Sequence, residues 1–258
     1  MLANEADIFN ALKGRSVLVS GAGAPGGIGF AIAKAFTQAA ATVFITSTTD
    51  RIFERAKEIA ATGFVCDLTD EAAALKLISQ LSKLDILVNN AGMSSISEPN
   101  FSDESRDLTQ VSSQGWHRGL SRNLDTTFNL TKAALPLLRK SDAGRIINLS
   151  SITGPVMVMA NNPVYATAKA GLIGFTKSLA VDEARYQITA NAILPGWIKT
   201  DTQSEHEYQQ GLKSALKRSG TPEEVASLAI YLATPLAGYL TGQAIAVDGA
   251  NSIMEERG

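Results

Sequence analysis

Short apolar runs rich in valine and isoleucine recur along the chain and alternate with longer segments of helical periodicity. The runs are continuous and bounded by Gly, Asn or Asp, which is typical of strands covered on both faces. They predict strands at Ser16–Ser20, 42–46, 64–65, 85–88, Arg145–Leu149, 189–194 and Ala244–Val247.

Between the runs, apolar residues recur at three- and four-residue steps, which predicts amphipathic helices. The clearest are Ile28–Gln38, 120–138, 165–184 and 222–232, and the last begins with an N-cap, Thr221, followed by Pro222 and two glutamates. This alternation predicts an α/β chain: one domain over residues 1–258, a doubly wound (Rossmann) parallel sheet of about seven strands with helices on both faces.

Two polar, irregular segments, 93–114 and 201–220, each follow a predicted strand end. Ligands of open α/β sheets bind beyond the carboxyl ends of the strands. We therefore expect these two segments to form the walls of a substrate site.

Composition excludes several classes of protein. The formal net charge is −2 and no apolar run approaches about 18 residues, so neither a nucleic-acid nor a membrane partner is expected. The N-terminus has no signal-peptide pattern, and Cys66 is a lone cysteine, so a cytoplasmic location is expected. With His117 and His206 as the two histidines, no metal cluster is expected. The chain also lacks the Gly-x-Ser-x-Gly elbow of serine hydrolases.

A glycine-rich loop joins the first predicted strand to the first helix. Glycines let the backbone approach a phosphate closely, and the helix start supplies free N–H groups. A tight turn without a ligand remains an alternative, but this position in a βαβ unit favours a dinucleotide site. The candidate residues are Gly21, Gly23, Gly27, Ile28 and Gly29.

The end of the second strand bears on the choice of dinucleotide. Ser47, Thr48 and Thr49 stand where an acid would hold the ribose of NAD, and Arg51 follows. Hydroxyls and an arginine suit a 2′-phosphate, so NADP is favoured over NAD. Asp50 is the counter-evidence, and we interpret it as the cap of a helix that begins near Arg51.

Tyr165 and Lys169 are four residues apart and share one face of a predicted helix. A nearby ammonium, together with an oxidised nicotinamide, is expected to lower the pKa of a tyrosine toward neutrality. Ser151 follows the strand Arg145–Leu149, and Asn123 interrupts an apolar helical segment. Each has a structural alternative: a surface pair, a turn serine and a satisfied asparagine.

Taken in order along the chain, these motifs resemble the short-chain dehydrogenase/reductase family over essentially the whole length, and within it the 3-oxoacyl-carrier-protein reductases and related carbonyl reductases. The resemblance implies that Tyr165 exchanges the substrate proton, Lys169 holds the nicotinamide ribose, Ser151 orients the carbonyl and Asn123 positions a water. It implies further cofactor contacts from Asp67, Leu68, Asn90, Ala91, Gly92, Pro195, Gly196, Ile198 and Thr200.

Two departures from the family pattern stand out. Ser20 replaces the usual threonine before the loop, and the loop from Gly21 to Gly27 is two residues longer than usual. The longer loop resembles the enoyl reductases of the family, but three residues separate Tyr165 from Lys169 here, which argues against enoyl reduction.

Substrate and partners remain open. A carrier-bound acyl substrate rests on the resemblance and on Arg139, Lys140 and Arg185, whose alternative is solvated helix ends. A free ketone, polyol or sugar is the second possibility, and a catalytically silent dinucleotide sensor is the third. Broad apolar faces on the helices 120–138 and 165–184, with the resemblance, predict a homotetramer.

Overall fold

A computed structural model describes residues 10–92 and 106–255. Its strands form one parallel sheet in the order β3-β2-β1-β4-β5-β6-β7, which confirms the predicted doubly wound architecture. The strands are β1 Ser16–Ser20, β2 Thr42–Ser47, β3 Thr62–Val65, β4 Ile86–Asn89, β5 Arg145–Leu149, β6 Thr189–Pro195 and β7 Ala244–Val247.

Helices connect the strands and cover both faces of the sheet. In the described ranges they are α1 Ile28–Gln38, α2 Arg51–Glu58, α3 Glu71–Ile78, α4 Ser113–Leu120, α5 Thr126–Leu138, α6 Pro163–Asp182, α7 Glu205–Gly211 and α8 Pro222–Ala233.

The continuous apolar strands arise because each face of the sheet has its own core. In β1, Val17 and Val19 pack with α1 and α8, whereas Leu18 packs with α3 and α5 on the other face. Successive side chains of a strand point to opposite faces, so every residue of β1 must be compatible with burial. All five are buried.

The helix predicted at 120–138 is interrupted. It begins with a π-helical turn, Ser121–Asp125, and α5 starts only at Thr126. The sequence does not predict two short helices: α7 lies wholly within the segment 201–220, and α4 begins at the end of the segment 93–114. Capping explains them: Ser112 accepts a hydrogen bond from the N–H of Gly115, and Ser204 forms a capping box with Glu207. Residues 93–105 of the first predicted wall lie outside the described residues.

The two predicted helix caps have different outcomes. Thr221 is the N-cap of α8 and forms a capping box with Glu224, as predicted. The interpretation of Asp50 is wrong: it precedes α2, but its backbone is already helical and its side chain makes no capping bond. A capping side chain needs an extended backbone at its own position to reach the N–H groups of the first turn.

Candidate active site

The site lies at the carboxyl edge of the sheet, where the chain order reverses between β1 and β4. There the Ser20 hydroxyl joins the two strand ends, accepting hydrogen bonds from the N–H groups of Asn90 and Ala91 at 3.0 Å each. The Asn90 amide in turn donates to the carbonyl oxygens of Ser20 and Gly21, at 3.1 and 3.0 Å. Serine thus supplies the hydroxyl expected before the glycine loop.

The glycines of the loop are required by this close approach. Gly21 has φ +69°, and a Cβ there would lie 2.8 Å from the Cα of Ala91. A Cβ on Gly29 would lie 2.4 Å from the Asn90 amide nitrogen. Gly27 precedes α1, and its lack of a side chain leaves the first N–H groups of the helix without a side-chain cap. These features fit the phosphates of a dinucleotide, which helix N-termini and glycine loops bind.

Residues at the ends of β2 and β3 lie on one side of the glycine loop. Ser47 ends β2, and a Cβ on Gly23 would lie 3.1 Å from its hydroxyl oxygen, which donates to the Thr49 carbonyl. After β3, Asp67 is exposed, and one of its carboxylate oxygens accepts hydrogen bonds from the backbone N–H and hydroxyl of Thr69. Leu68 beside it is buried. The predicted adenosine-side residues therefore share one edge of the sheet.

Lys169 occupies a buried position on α6, with 3% of its surface exposed. Its ammonium donates to the Leu149 carbonyl at 3.1 Å, and its own backbone carbonyl accepts from the Ser150 hydroxyl at 2.8 Å. Both bonds join α6 to the end of β5. Burial lowers the pKa of Lys169 to about 8.

Asn123 and Lys169 face each other across Gly92. A Cβ on Gly92 would lie 3.2 Å from the Asn123 carbonyl oxygen and 3.3 Å from the Lys169 ammonium. The Asn123 amide donates to the Gly119 carbonyl at 3.1 Å, within the π-helical turn. A π-turn inserts one residue into the helix and so rotates the side chains that follow. The amide nitrogen of Asn123 is thus bonded within its own helix, and its carbonyl oxygen faces Gly92 after β4.

Tyr165, Ser151 and Lys169 converge as the sequence predicts. The Ser151 side chain hydrogen-bonds the phenol, and the Lys169 ammonium lies 5.6 Å from the centroid of the Tyr165 ring. The expected lowering of the phenol pKa is not met in the protein alone. Desolvation raises the pKa of Tyr165, the negative charge of Glu207 adds to the rise, and the Ser151 bond opposes it. Desolvation is the largest of these causes, because a phenolate at this position must lose its hydration.

The segment after β6 completes the site. Gly196 must be glycine, because a Cβ would lie 2.7 Å from the Cβ of Asp248, and its N–H donates to the Val247 carbonyl. Ile198 is buried and pairs with Gly220, so the end of the 201–220 wall is fixed beside the turn. The Thr200 hydroxyl lies 3.2 Å from that of Thr202.

A chain of buried polar side chains behind the site was not predicted. The Asn89 amide donates to the Thr131 hydroxyl and to the Asn148 carbonyl oxygen, both at 2.9 Å, and the Asn148 amide donates to the Thr176 hydroxyl at 2.9 Å. It joins β4 and β5 to α5 and α6. The signal available in the sequence was two asparagines in otherwise apolar strands, where an unpaired amide would be costly.

The basic residues considered for a carrier protein lie at the other end of α5 and α6. Arg139 forms a two-bond ion pair with Glu183, at 2.6 and 2.8 Å, and stacks over Tyr186 together with Arg185. The twenty residues of α6 place this cluster roughly 30 Å from its first turn. Arg139 therefore already has an internal partner.

Residues 10–92 and 106–255 contain no cluster of three or more His, Cys, Asp or Glu side chains that could hold a metal ion. No helix in the same ranges is both long and apolar enough to span a membrane.

Comparison with known proteins places this site in context. Residues 21–250 match a family model described as enoyl-(acyl carrier protein) reductase. The chain is 37% identical to the 3-oxoacyl-[acyl-carrier-protein] reductase FabG of Vibrio harveyi over 251 residues, 92% of this chain and 97% of that protein. It is 33% identical to the oxidoreductase UcpA of Salmonella typhimurium, over 95% of this chain and 97% of that one.

Solved structures of other proteins superpose on nearly the whole chain. An aldohexose dehydrogenase of Thermoplasma acidophilum superposes with a TM-score of 0.84 at 28% identity, over 97% of this chain and 98% of the other. A short-chain dehydrogenase/reductase mutant of Serratia marcescens superposes with a TM-score of 0.83 at 31% identity, over 94% and 99% of the two chains.

Proposed function

Because the chain belongs to the short-chain dehydrogenase/reductase family, we propose that it reduces the ketone of a 3-oxoacyl thioester with NADPH, and that Tyr165 donates the proton. Family membership makes it an oxidoreductase of the CH–OH/C=O couple that uses a nicotinamide dinucleotide. The observation that carries the proposal is the convergence of the Ser151 hydroxyl and the Tyr165 phenol beside the buried Lys169 ammonium.

The proton chemistry follows from this geometry. The nicotinamide supplies the hydride. Ser151 binds the carbonyl oxygen and orients it toward Tyr165, whose raised pKa keeps the proton on the phenol at neutral pH. Tyr165 then gives that proton to the oxygen as negative charge develops. Asn123 and Lys169, facing each other at Gly92, hold the route by which the phenol regains a proton.

A cavity beside the first turn of α6 supports an acyl thioester as the substrate. An open cavity of about 320 Å³ lies there, and Pro163 and Ala166 of its wall flank Tyr165 in the helix. Its other lining residues are the apolar Leu108, Val158 and Met159 and the polar Arg106, Asp107, Asn161 and Asn162. The apolar part of this wall suits the chain of an acyl group. Similarity to the FabG proteins supports the same class.

NADP is proposed over NAD from the end of β2. Ser47, Thr48 and Thr49 supply hydroxyls, and Arg51 begins α2 as an exposed cation. Ser47 stands at the end of β2, where an acid would bind the ribose of NAD and repel a 2′-phosphate. Asp50, which does not cap α2, remains the feature that would disfavour a 2′-phosphate.

A second candidate is reduction or oxidation of a free ketone, polyol or sugar. It is favoured by the close superposition on an aldohexose dehydrogenase. The Arg139–Glu183 ion pair also weakens the case for a carrier protein at that surface.

The test is NADPH and NADH consumption with acetoacetyl thioesters, free ketones, polyols and sugars. We expect thioester turnover with NADPH, and a loss of about 10²- to 10⁴-fold in kcat for Tyr165→Phe with NADPH binding retained. Turnover confined to sugars or polyols would establish the second candidate. Cofactor binding without turnover of any substrate would favour a dinucleotide sensor.

Carrier use is tested separately with Lys140→Glu and Arg185→Glu. These residues are preferred to Arg139, whose reversal would leave the buried Glu183 carboxylate without its partner. A carrier surface predicts a higher KM for carrier-bound substrate and an unchanged KM for a small thioester. Equal KM values for both substrates would exclude a carrier surface here.

We also propose that the chain forms a homotetramer, as its broad apolar helix faces predict. Support comes from α6, whose exposed positions include Ala170, Gly171, Gly174 and Val181. Small residues on a helix surface let a second helix approach closely.

A further inference from the structure

The lengthened glycine loop makes a contact far outside itself. The backbone N–H of Gly26 donates to the Asp201 carboxylate at 2.6 Å, although the two residues are 175 positions apart. A Cβ on Gly26 would lie 2.1 Å from the other carboxylate oxygen, so a side chain there would displace Asp201. Gly26 belongs to the stretch that is two residues longer than the family spacing.

This contact crosses the middle of the dinucleotide site. The adenosine-side residues follow β2 and β3, and Tyr165, Ile198 and Thr200 lie on the side of β5 and β6. The bridge between the two halves of a dinucleotide, its pyrophosphate, must therefore run past the glycine loop after β1. Asp201 follows β6 and reaches back to that loop over the ends of β5 and β4, a span of roughly 14 Å at the usual strand spacing.

We propose that Asp201 is a positioning residue of the cofactor site and that its bond to Gly26 is a latch closed across the pyrophosphate. The bond must open whenever the dinucleotide binds or leaves. Because Asp201 begins the 201–220 wall, the same opening moves the wall away from the glycine loop. The proposal rests on dinucleotide binding by this site.

The hydrogen bond between Gly26 and Asp201 is favourable when closed, yet it can open at little cost. The acceptor is a carboxylate, and a hydrogen bond to a charged acceptor favours the closed state by about tenfold or more. The carboxylate is also exposed to solvent, which can replace the Gly26 N–H when the bond opens. Release of a nicotinamide cofactor is often slow enough to limit turnover, so such a bond has a kinetic effect.

The test is stopped-flow fluorescence of NADPH binding and release by the full chain. Asp201→Ala removes the acceptor, and we expect its NADPH dissociation rate to rise about tenfold. Asp201→Asn keeps a carbonyl acceptor without the charge, so its rate should fall between those of Asp201→Ala and the parent. Gly26→Ala breaks the latch from the other side and should match Asp201→Ala. Gly26 has no positive φ, so alanine is compatible with its backbone.

Glu205→Gln is the matched control, since it removes one negative charge from the same exposed segment without touching the loop. Its dissociation rate should equal that of the parent. If Asp201→Ala leaves the rate unchanged while the parent binds NADPH, the latch is wrong and the reductase proposal stands. If Glu205→Gln accelerates release as much as Asp201→Ala, general charge explains the effect and the latch is wrong. A parent chain that binds neither NADPH nor NADH would overturn both proposals.

Discussion

At the scale of single residues, the burial of Lys169 disfavours the charged form of its side chain. Its ammonium is almost fully enclosed and is bound by the Leu149 carbonyl. An ammonium in such a place loses most of its hydration, and burial lowers its pKa from 10.5 to about 8. The site therefore keeps a cation at neutral pH at the expense of folding stability.

Lys169→Met is expected to stabilise the cofactor-free protein at pH 7 by up to about 3 kcal/mol and to abolish activity. Between pH 8 and 10.5 the unfolded chain binds a proton at this lysine that the folded chain does not, so unfolding free energy rises with pH across that window. The gain from the substitution should thus be largest below pH 8 and vanish above about pH 10.5. Urea unfolding at several pH values measures it.

Lys34→Met, at an exposed position of α1 away from α5 and α6, is the control and should change stability little at any pH. A gain for Lys169→Met that is equal at pH 7 and pH 10.5 would contradict the burial argument. A loss at pH 7 would show that the ammonium is held by more than the Leu149 carbonyl.

At the scale of elements, the start of α8 shows how local chemistry fixes a helix. Thr221 accepts a hydrogen bond from the N–H of Glu224, whose carboxylate accepts from the N–H of Thr221 and pairs with Arg218. That pairing lowers the pKa of Glu224 to about 2. Since α8 packs against α1 and the sheet, its first turn also supports one of the two cores.

Thr221→Ala should lower the free energy of unfolding by about 1 kcal/mol, because the N–H of Glu224 loses its side-chain acceptor. Ser227→Ala, in the exposed middle of the same helix, removes a hydroxyl that bonds only the Glu223 carbonyl and should be nearly neutral. Urea unfolding at pH 7 compares the two variants. Equal effects would mean that the cap contributes no more than an ordinary surface hydroxyl.

Some of the helices and strands can be predicted from the sequence, and others cannot. The strands are predictable because a strand covered on both faces is buried at every position and therefore has a continuous apolar centre, as β1 and β5 have. The short helices α4 and α7 were not, because their existence depends on caps rather than on apolar periodicity. The π-turn at Ser121–Asp125 is not predictable either, since this segment contains no proline or glycine to mark a change in the helix.

At the scale of the whole molecule, the assembly can be tested without disturbing the fold. A Cβ on Gly174, on the exposed face of α6, would meet nothing within 4 Å in this chain. Gly174→Glu should therefore leave the chain folded and break a helix interface between copies. Light scattering should give about four times the chain mass of 27.2 kDa for the parent and a smaller multiple for the variant.

Phe53→Glu is the control for this substitution. It places the same acid on an exposed apolar position of α2, away from α5 and α6, and should leave the assembly intact. A parent chain that is monomeric at micromolar concentration would refute the homotetramer.

The site as a whole was partly predictable. The motifs of the sequence point to Ser151, Tyr165 and Lys169 as candidate catalytic side chains, and the structure brings the three together. Two features lay beyond the sequence. The direction of the Tyr165 pKa depends on how completely folding excludes water, and the Asp201–Gly26 bond joins segments that no local pattern relates.

The two hydrogen bonds that join α6 to the end of β5 bear on how the selectivity of this fold can be changed. Lys169 is held by the Leu149 carbonyl and by the Ser150 hydroxyl, neither of which belongs to the segments that surround a substrate. Exchanging 202–220 for the corresponding piece of a relative, with Asp201 kept, should retarget the enzyme while Ser151, Tyr165 and Lys169 keep their positions. Libraries confined to that piece should yield altered selectivity more often than loss of turnover.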